Sequence, residues 1–143
     1  MKLTVLGCGR WGAFLASYHS AKNDVLLWGR PGSKSFAALQ KERKNAYLAL
    51  PSQLRLESEL SAALEFAQVV VISISAQQLR DLARRIARFD LAGKTFILCM
   101  KGIEVQSGKR LTQVFCEEVK QPVGLAVWVG PGHVQDFSAG IPN

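Results

Sequence analysis

Short apolar runs alternate along this chain with stretches whose apolar positions recur at helical spacing. Residues 3–6, 25–28, 68–74, 94–99 and 124–129 read as strands, and residues 54–56 as a shorter, weaker one. Between them, residues 11–21, 35–43, 58–66, 77–88 and 110–119 carry helical periodicity, with Ser58 or Ser61 as the cap of the third helix. The run over 68–74 is continuously apolar rather than alternating, the mark of a central strand buried on both faces. Strand and helix in regular alternation predict an α/β fold, a doubly wound and mostly parallel sheet with helices on both faces.

The length of 143 residues allows one domain with its own core and is too short for two large ones, so residues 1–143 are read as a single unit. After the sixth strand, Gly130-Pro131-Gly132-His133 begins a further loop and helix, and the chain stops at Ile141-Pro142-Asn143 with no capping element. The pattern is that of a chain cut short, whether as a fragment of a longer protein or as a truncated gene. Cys8, Cys99 and Cys116 are odd in number and widely spaced in apolar surroundings, which indicates neither a disulfide framework nor a zinc site and points to a reducing cytoplasm. The segment Val5-Leu6-Gly7-Cys8 faintly resembles a lipoprotein cleavage site. Only residues 3–6 separate Lys2 from Gly7, however, where a leader needs an apolar run of about 7–15 residues. No later run approaches the roughly 18 apolar residues of a membrane-spanning helix.

The formal charge of +7 raises the question of nucleic acid. Basic residues gather at Lys41, Arg43 and Lys44 and again at Arg80, Arg84, Arg85 and Arg88, but without interleaved aromatics or a nucleic-acid motif. The second group shares a helix with Leu79, Leu82, Ala83 and Ile86. Those four form the buried stripe, leaving the arginines as a solvated face. A basic surface does favour small phosphorylated molecules. His133 and Asp136, even with His19, are too sparse for a metal site.

The chemistry concentrates at Gly7-Cys8-Gly9-Arg10-Trp11-Gly12. This is G-x-G-x-x-G after a strand and before a helix, the context a dinucleotide-binding turn requires. Gly7 permits the tight turn, Gly9 lets backbone approach a pyrophosphate, and Gly12 lets helix and strand pack closely, while the helix N-terminus offers amides and a positive dipole end. An NAD-selective site places an acid at the end of strand two for the ribose 2′-hydroxyl. Here Asp24 precedes that strand, and Gly29-Arg30-Pro31-Gly32-Ser33-Lys34 follows it. Arg30, helped by Ser33 or Lys34, suits a 2′-phosphate through bidentate guanidinium pairing, so the expected cofactor is NADP(H), with use of NAD(H) left open.

Five segments together resemble the bacterial NAD(P)-dependent glycerol-3-phosphate dehydrogenases: the glycine turn with Trp11 before its third glycine, Leu27-Trp28-Gly29-Arg30, Leu50-Pro51, Lys101-Gly102-Ile103-Glu104, and Gly130-Pro131 with Gly140-Ile141-Pro142. The resemblance covers essentially the whole chain and implies a Rossmann-type cofactor domain. Backbone at Arg10 and Trp11, the side chain of Arg30 and the region of Tyr47 would contact cofactor. Lys101 would contact both cofactor and substrate. Gly130 and Gly132 would lie at the substrate, and Val134 near the cofactor. The family's catalytic lysine and phosphate-binding arginine belong to a helical C-terminal domain absent here, so no catalytic residue is assigned. The sequence departs from the family's usual residues at Ile74, Gly132, Val134, Asp136 and Asn143.

The resemblance implies interconversion of dihydroxyacetone phosphate and sn-glycerol 3-phosphate by hydride transfer, in glycerophospholipid metabolism, by a cytoplasmic enzyme that is a homodimer at full length. It implies a small phosphorylated substrate, no nucleic-acid partner and no integral membrane segment. By itself this chain would bind cofactor but barely turn over. Two other readings stay open: a related dehydrogenase of hydroxy acids or ketopantoate-like substrates, and a non-catalytic nucleotide-sensing module.

Overall fold

The computed structural model describes residues 1–130 and 134–139, without the side chains of residues 137 and 138. Its strands β1 (Lys2–Leu6), β2 (Asp24–Trp28), β3 (Arg55–Glu57), β4 (Val69–Ile72), β5 (Thr95–Leu98) and β6 (Gly124–Val127) form one sheet in the order β3-β2-β1-β4-β5-β6. Every pairing within it is parallel. The chain starts in the middle, winds outward through β2 and β3, then returns beside β1 to wind the other way. The order therefore reverses between β1 and β4, and the crevice of such a sheet opens at that switch point.

Helices α1 (Arg10–Ser20) and α2 (Lys34–Glu42) cover one face, where Ala13, Leu15, Ala16 and Leu39 pack on Leu3, Val5, Val25, Leu27 and Val71. On the other face, α3 (Leu60–Phe66), α4 (Leu79–Ile86) and α5 (Leu111–Glu118) pack on Leu6, Leu26, Val70, Ile72, Phe96 and Leu98. β4 therefore sends Val70 and Ile72 to one core and Val71 to the other, as its unbroken apolar run requires. Thr4 is the buried polar exception, its hydroxyl donating to the Ala63 carbonyl at 2.8 Å and so tying β1 to α3. A short helix, α6 (Val134–Ser138), follows the sixth strand.

The register aligns the C-terminal ends of the strands. Leu6 pairs with both Trp28 and Ile72, Ile72 with Leu98, and Leu98 with Val127. Ladder bonds continue one residue further, with Gly7 N–H donating to Trp28 O, Ser73 N–H to Leu6 O, Cys99 N–H to Ile72 O and Trp128 N–H to Leu98 O, all within 3.0 Å. The loops after β1, β2, β4, β5 and β6 thus leave the sheet along one firm rim.

Two expectations are corrected. The cap of α3 is neither Ser58 nor Ser61 but Glu59, which makes no side-chain capping bond. The Ser58 carbonyl is taken by the Trp28 indole N–H, and Glu57 Oε1 accepts from the N–H groups of Ser58 and Glu59 just before the helix begins. The arginines of α4 and of the turn after it, which holds Arg88, are not a uniformly solvated face. Arg84 and Arg88 are exposed, whereas Arg80 keeps only 18% of its side chain in contact with solvent and Arg85 is half-buried. The stripe of Leu79, Leu82, Ala83 and Ile86 is buried as its spacing predicts. Among the described residues no helix is long and apolar enough to cross a membrane.

Phe96 of β5 and Phe115 of α5 are fully buried and meet with ring centroids 5.0 Å apart. Phe115→Ala is expected to cost about 3–5 kcal/mol through lost burial and the cavity left behind. Urea unfolding followed by circular dichroism measures this; a cost below about 1 kcal/mol would mean that α5 is not anchored through this pair.

Candidate functional site

The glycine turn is built by contact. Gly7 has φ +119°, a conformation that a side chain resists, and a Cβ there would lie 2.1 Å from the Ser73 carbonyl oxygen. A Cβ on Gly12 would come within 2.0 Å of the Gly7 carbonyl oxygen, so α1 can start here only because that position has no side chain. Gly9 differs, since nothing lies within 4 Å of its would-be Cβ. It is the N-cap of α1, no side chain caps the helix, and its open side faces solvent space. The helix N-terminus therefore keeps backbone donors and a positive dipole end for an incoming anion. Trp11, awkward in the sequence, stacks on Phe14 one turn later with centroids 5.6 Å apart and leaves the turn undisturbed.

In front of this turn lies an open cavity of about 980 Å³ along the rim of the sheet. Gly7, Gly9, Arg10 and Trp11 line it, as do Arg30 after β2, Lys101 after β5 and Gly130 after β6. The structure thus brings together most of the residues singled out in the sequence. Asp24 is remote from it by register, at the start of β2, where it pairs with Arg55 at 3.3 Å. Tyr47 is not among the cavity walls; it is exposed, and the Arg10 guanidinium lies 4.5 Å from its ring centroid, so it bears on the cleft through Arg10. Val134 is half-buried, packs against the core beneath α1, and does not line the cavity. Gly132 and His133 lie outside the described residues.

Sequence reasoning missed the α4 wall. Gln78, Asp81, Leu82 and Arg85 line the cavity at helical spacing, and the missed signal was that the helix after a central strand must border the cleft at that strand's end. It also missed Trp128 and the two thiols Cys8 and Cys99. Burial pushes Cys99 up to about 11. Burial raises Cys8 as well, opposed by a hydrogen bond from Ser33 and by the charge of Arg30. Both thiols are therefore protonated at neutral pH and belong to the walls, not to the reactive groups. Burial lowers His19, whose ring meets Trp128 edge-on with centroids 5.9 Å apart, so it acts as a neutral aromatic neighbour. Among the described residues no three His, Cys, Asp or Glu side chains could hold a metal ion.

Among the described residues around this cavity there are four cationic side chains, Arg10, Arg30, Arg85 and Lys101, and one carboxylate, Asp81. Lys101 is exposed there, and the loop behind it is firmly held. Gln77 donates to the Ile103 carbonyl and accepts from the Val105 N–H, both at 2.9 Å. Glu104, buried in the same loop, accepts bonds of 2.8 and 2.7 Å from the Arg80 guanidinium and another from the Ser107 hydroxyl. Arg80 also donates to Glu117 and Glu118 on α5, and Lys109 pairs with Glu117. Arg80 and Ser107 together hold the Glu104 carboxyl down at about 2.

The glycines separate two effects. Gly12→Ala should fail to fold or lose about 3 kcal/mol, because the clash is with backbone. Gly9→Ala should unfold within about 0.5 kcal/mol of wild type, since the methyl meets open space, yet obstruct an anion approaching α1. Chemical denaturation of both variants checks the contrast, which equal stabilities would refute. Glu104 predicts an acid dependence. Its folded carboxyl is depressed from 4.5 to about 2, so its stabilisation is present above pH 4.5 and lost as the pH falls toward 2. Over that window the melting temperature of wild type should fall further than that of Glu104→Gln; parallel curves would disprove the linkage.

The chain is similar over its whole length to known proteins. The curated "Glycerol-3-phosphate dehydrogenase [NAD(P)+]" of Pelodictyon phaeoclathratiforme is 36% identical over 100% of this chain and 45% of the relative. That of Prosthecochloris aestuarii is 36% identical over 96% of this chain and 43% of the relative. The chain thus spans less than half the length of these curated relatives. The crystal structure of glycerol-3-phosphate dehydrogenase from Coxiella burnetii superposes with a TM-score of 0.86 at 26% identity, covering 99% of this chain and 44% of that one. The corresponding yeast enzyme shares the fold, at a TM-score of 0.76, 20% identity and coverage of 97% and 44%. A family model described as the NAD-dependent glycerol-3-phosphate dehydrogenase N-terminus matches residues 2–143, and the chain belongs to that family.

Proposed function

We propose that this chain is the NADP(H)-binding part of a glycerol-3-phosphate dehydrogenase that interconverts dihydroxyacetone phosphate and sn-glycerol 3-phosphate. The observation that carries the reading is the cavity itself: it joins an uncapped helix N-terminus behind Gly9 to a rim of four cations and one carboxylate. A dinucleotide with a pyrophosphate and a 2′-phosphate is strongly anionic, and this surface complements it. The open side of Gly9 is the test of fit, since a side chain there would stand where a pyrophosphate must approach.

In this reading the backbone at Gly9, Arg10 and Trp11 holds the pyrophosphate. Arg30, exposed at the end of β2, holds the 2′-phosphate in a place where a selective NAD site would carry an acid. Lys101 and Gly130, after β5 and β6 on the far side of the switch point, border the nicotinamide and the substrate. The Lys101 ammonium orients the substrate by its charge, through its phosphate or its reacting oxygen. The bound cofactor supplies the hydride; the protein supplies position and a field of fixed sign. In this reading the main proton donor, a further group for the substrate phosphate and the dimer contact are supplied outside residues 1–143. Cytoplasmic residence follows from the same reading.

Titration calorimetry on the purified chain should give tighter binding of NADPH than of NADH. Arg30→Ala should weaken NADPH by about tenfold and leave NADH within about twofold. The isolated chain should reduce dihydroxyacetone phosphate at no more than a trace rate. Tighter NADH binding, or NADPH binding unchanged in Arg30→Ala, would overturn the cofactor assignment, and robust turnover would overturn the division of labour.

A further inference from the structure

Arg85 lines the cleft from a different element than Arg30 does. It sits near the end of α4, on the face that Gln78, Asp81 and Leu82 present to the cavity. Its guanidinium carbon lies 5.6 Å from the ring centroid of Trp28, the last residue of β2. That indole is only 3% exposed and is pinned by its N–H to the Ser58 carbonyl at 2.8 Å, so the platform beneath Arg85 is rigid. A cation held over an aromatic face by the ring's quadrupole uses none of its N–H donors in that contact and keeps them for hydrogen bonds. The neighbouring carboxylate, Asp81, is paired with Arg84 at 3.8 Å, and among the described residues Arg85 makes no ion pair. Arg80, five residues earlier on the same helix, shows the contrast: its guanidinium is spent on three carboxylates.

We propose that Arg85 is a second determinant of selectivity for the 2′-phosphate, so that the adenosine end of the cleft is bracketed by one guanidinium from the β2–α2 loop and another from α4. The proposal rests on the NADP(H) reading and adds a residue to it. Its place over the Trp28 ring puts the cation beside the end of β2, where the ribose 2′ position is read in folds of this topology. Two guanidiniums offer a phosphate more charge-assisted bonds than one, with directions fixed by two separate elements. A role as a platform for the adenine base differs in a measurable way, because it would serve nucleotides with and without the 2′-phosphate equally.

The test compares adenosine 2′,5′-bisphosphate with AMP, titrated into wild type, Arg85→Gln and Arg88→Gln, each with its melting temperature. Arg85→Gln should weaken the bisphosphate by about five- to twentyfold and leave AMP within about twofold. Arg88→Gln removes a charge from the turn just after α4, outside the main cavity, and should leave both within about twofold. Arg85→Met keeps the aliphatic cover of Trp28 and gives the same comparison should the Gln variant unfold, and Arg85→Lys should recover part of the loss. Equal weakening of both nucleotides, or an unchanged bisphosphate affinity, overturns the proposal. If wild type prefers the bisphosphate and only Arg30→Ala abolishes that preference, the role of Arg85 falls alone. If wild type shows no preference, the NADP(H) reading falls and this proposal with it.

Discussion

The first turn of α1 rests on the carbonyl of Gly7 with no room between them for a methyl group, and the cleft depends on that contact. A Cβ on Gly12 would meet the Gly7 oxygen at 2.0 Å, and one on Gly7 would meet the Ser73 oxygen at 2.1 Å. Three backbone segments, the ends of β1 and β4 and the start of α1, therefore converge at the switch point of the sheet. Because they touch through main chain, their spacing does not vary with rotamer choice. A helix start fixed this closely can aim its N-terminal backbone and positive dipole end at one position, which is what binding a pyrophosphate by backbone alone demands.

The opposite wall is fixed by charge. Arg80 gathers Glu104, Glu117 and Glu118, and with them α4, α5 and the loop after β5. Exposed single ion pairs contribute little, but a bidentate guanidinium on a carboxylate buried to 8% exposure orders the groups it joins. The result is a loop that is held from behind by Glu104 and Gln77 and presents Lys101 forward. The two arginines of α4 at positions 80 and 85 thus serve different ends. One is consumed inside the protein; the other lies over the Trp28 ring and lines the cavity.

The element order, the parallel sheet and the place of the glycine turn were legible in the sequence. A strand buried on both faces must be apolar throughout, and residues 69–72 are; a backbone that must touch backbone leaves glycine as its trace. The third strand was faint for a physical reason: β3 is a three-residue edge strand with one neighbour, so little burial constrains its residues. The cap of α3 misled because both serines satisfied a local preference, while a long-range bond from Trp28 had already claimed the Ser58 carbonyl.

By itself, then, the sequence determined what depends on period and on the presence or absence of a side chain: the fold class, the nucleotide turn, the missing acid after β2 and the cation that follows it. Tertiary structure alone decided which charges are available. Arg80, Arg84, Arg85 and Arg88 look alike along the chain, three of them on α4 and the fourth in the turn just after it. Their fates differ because the acids and the aromatic ring that receive them come from Glu104, α5 and β2, remote in sequence. Periodicity reports which way a side chain points; only the packed fold brings up the partner that it meets there.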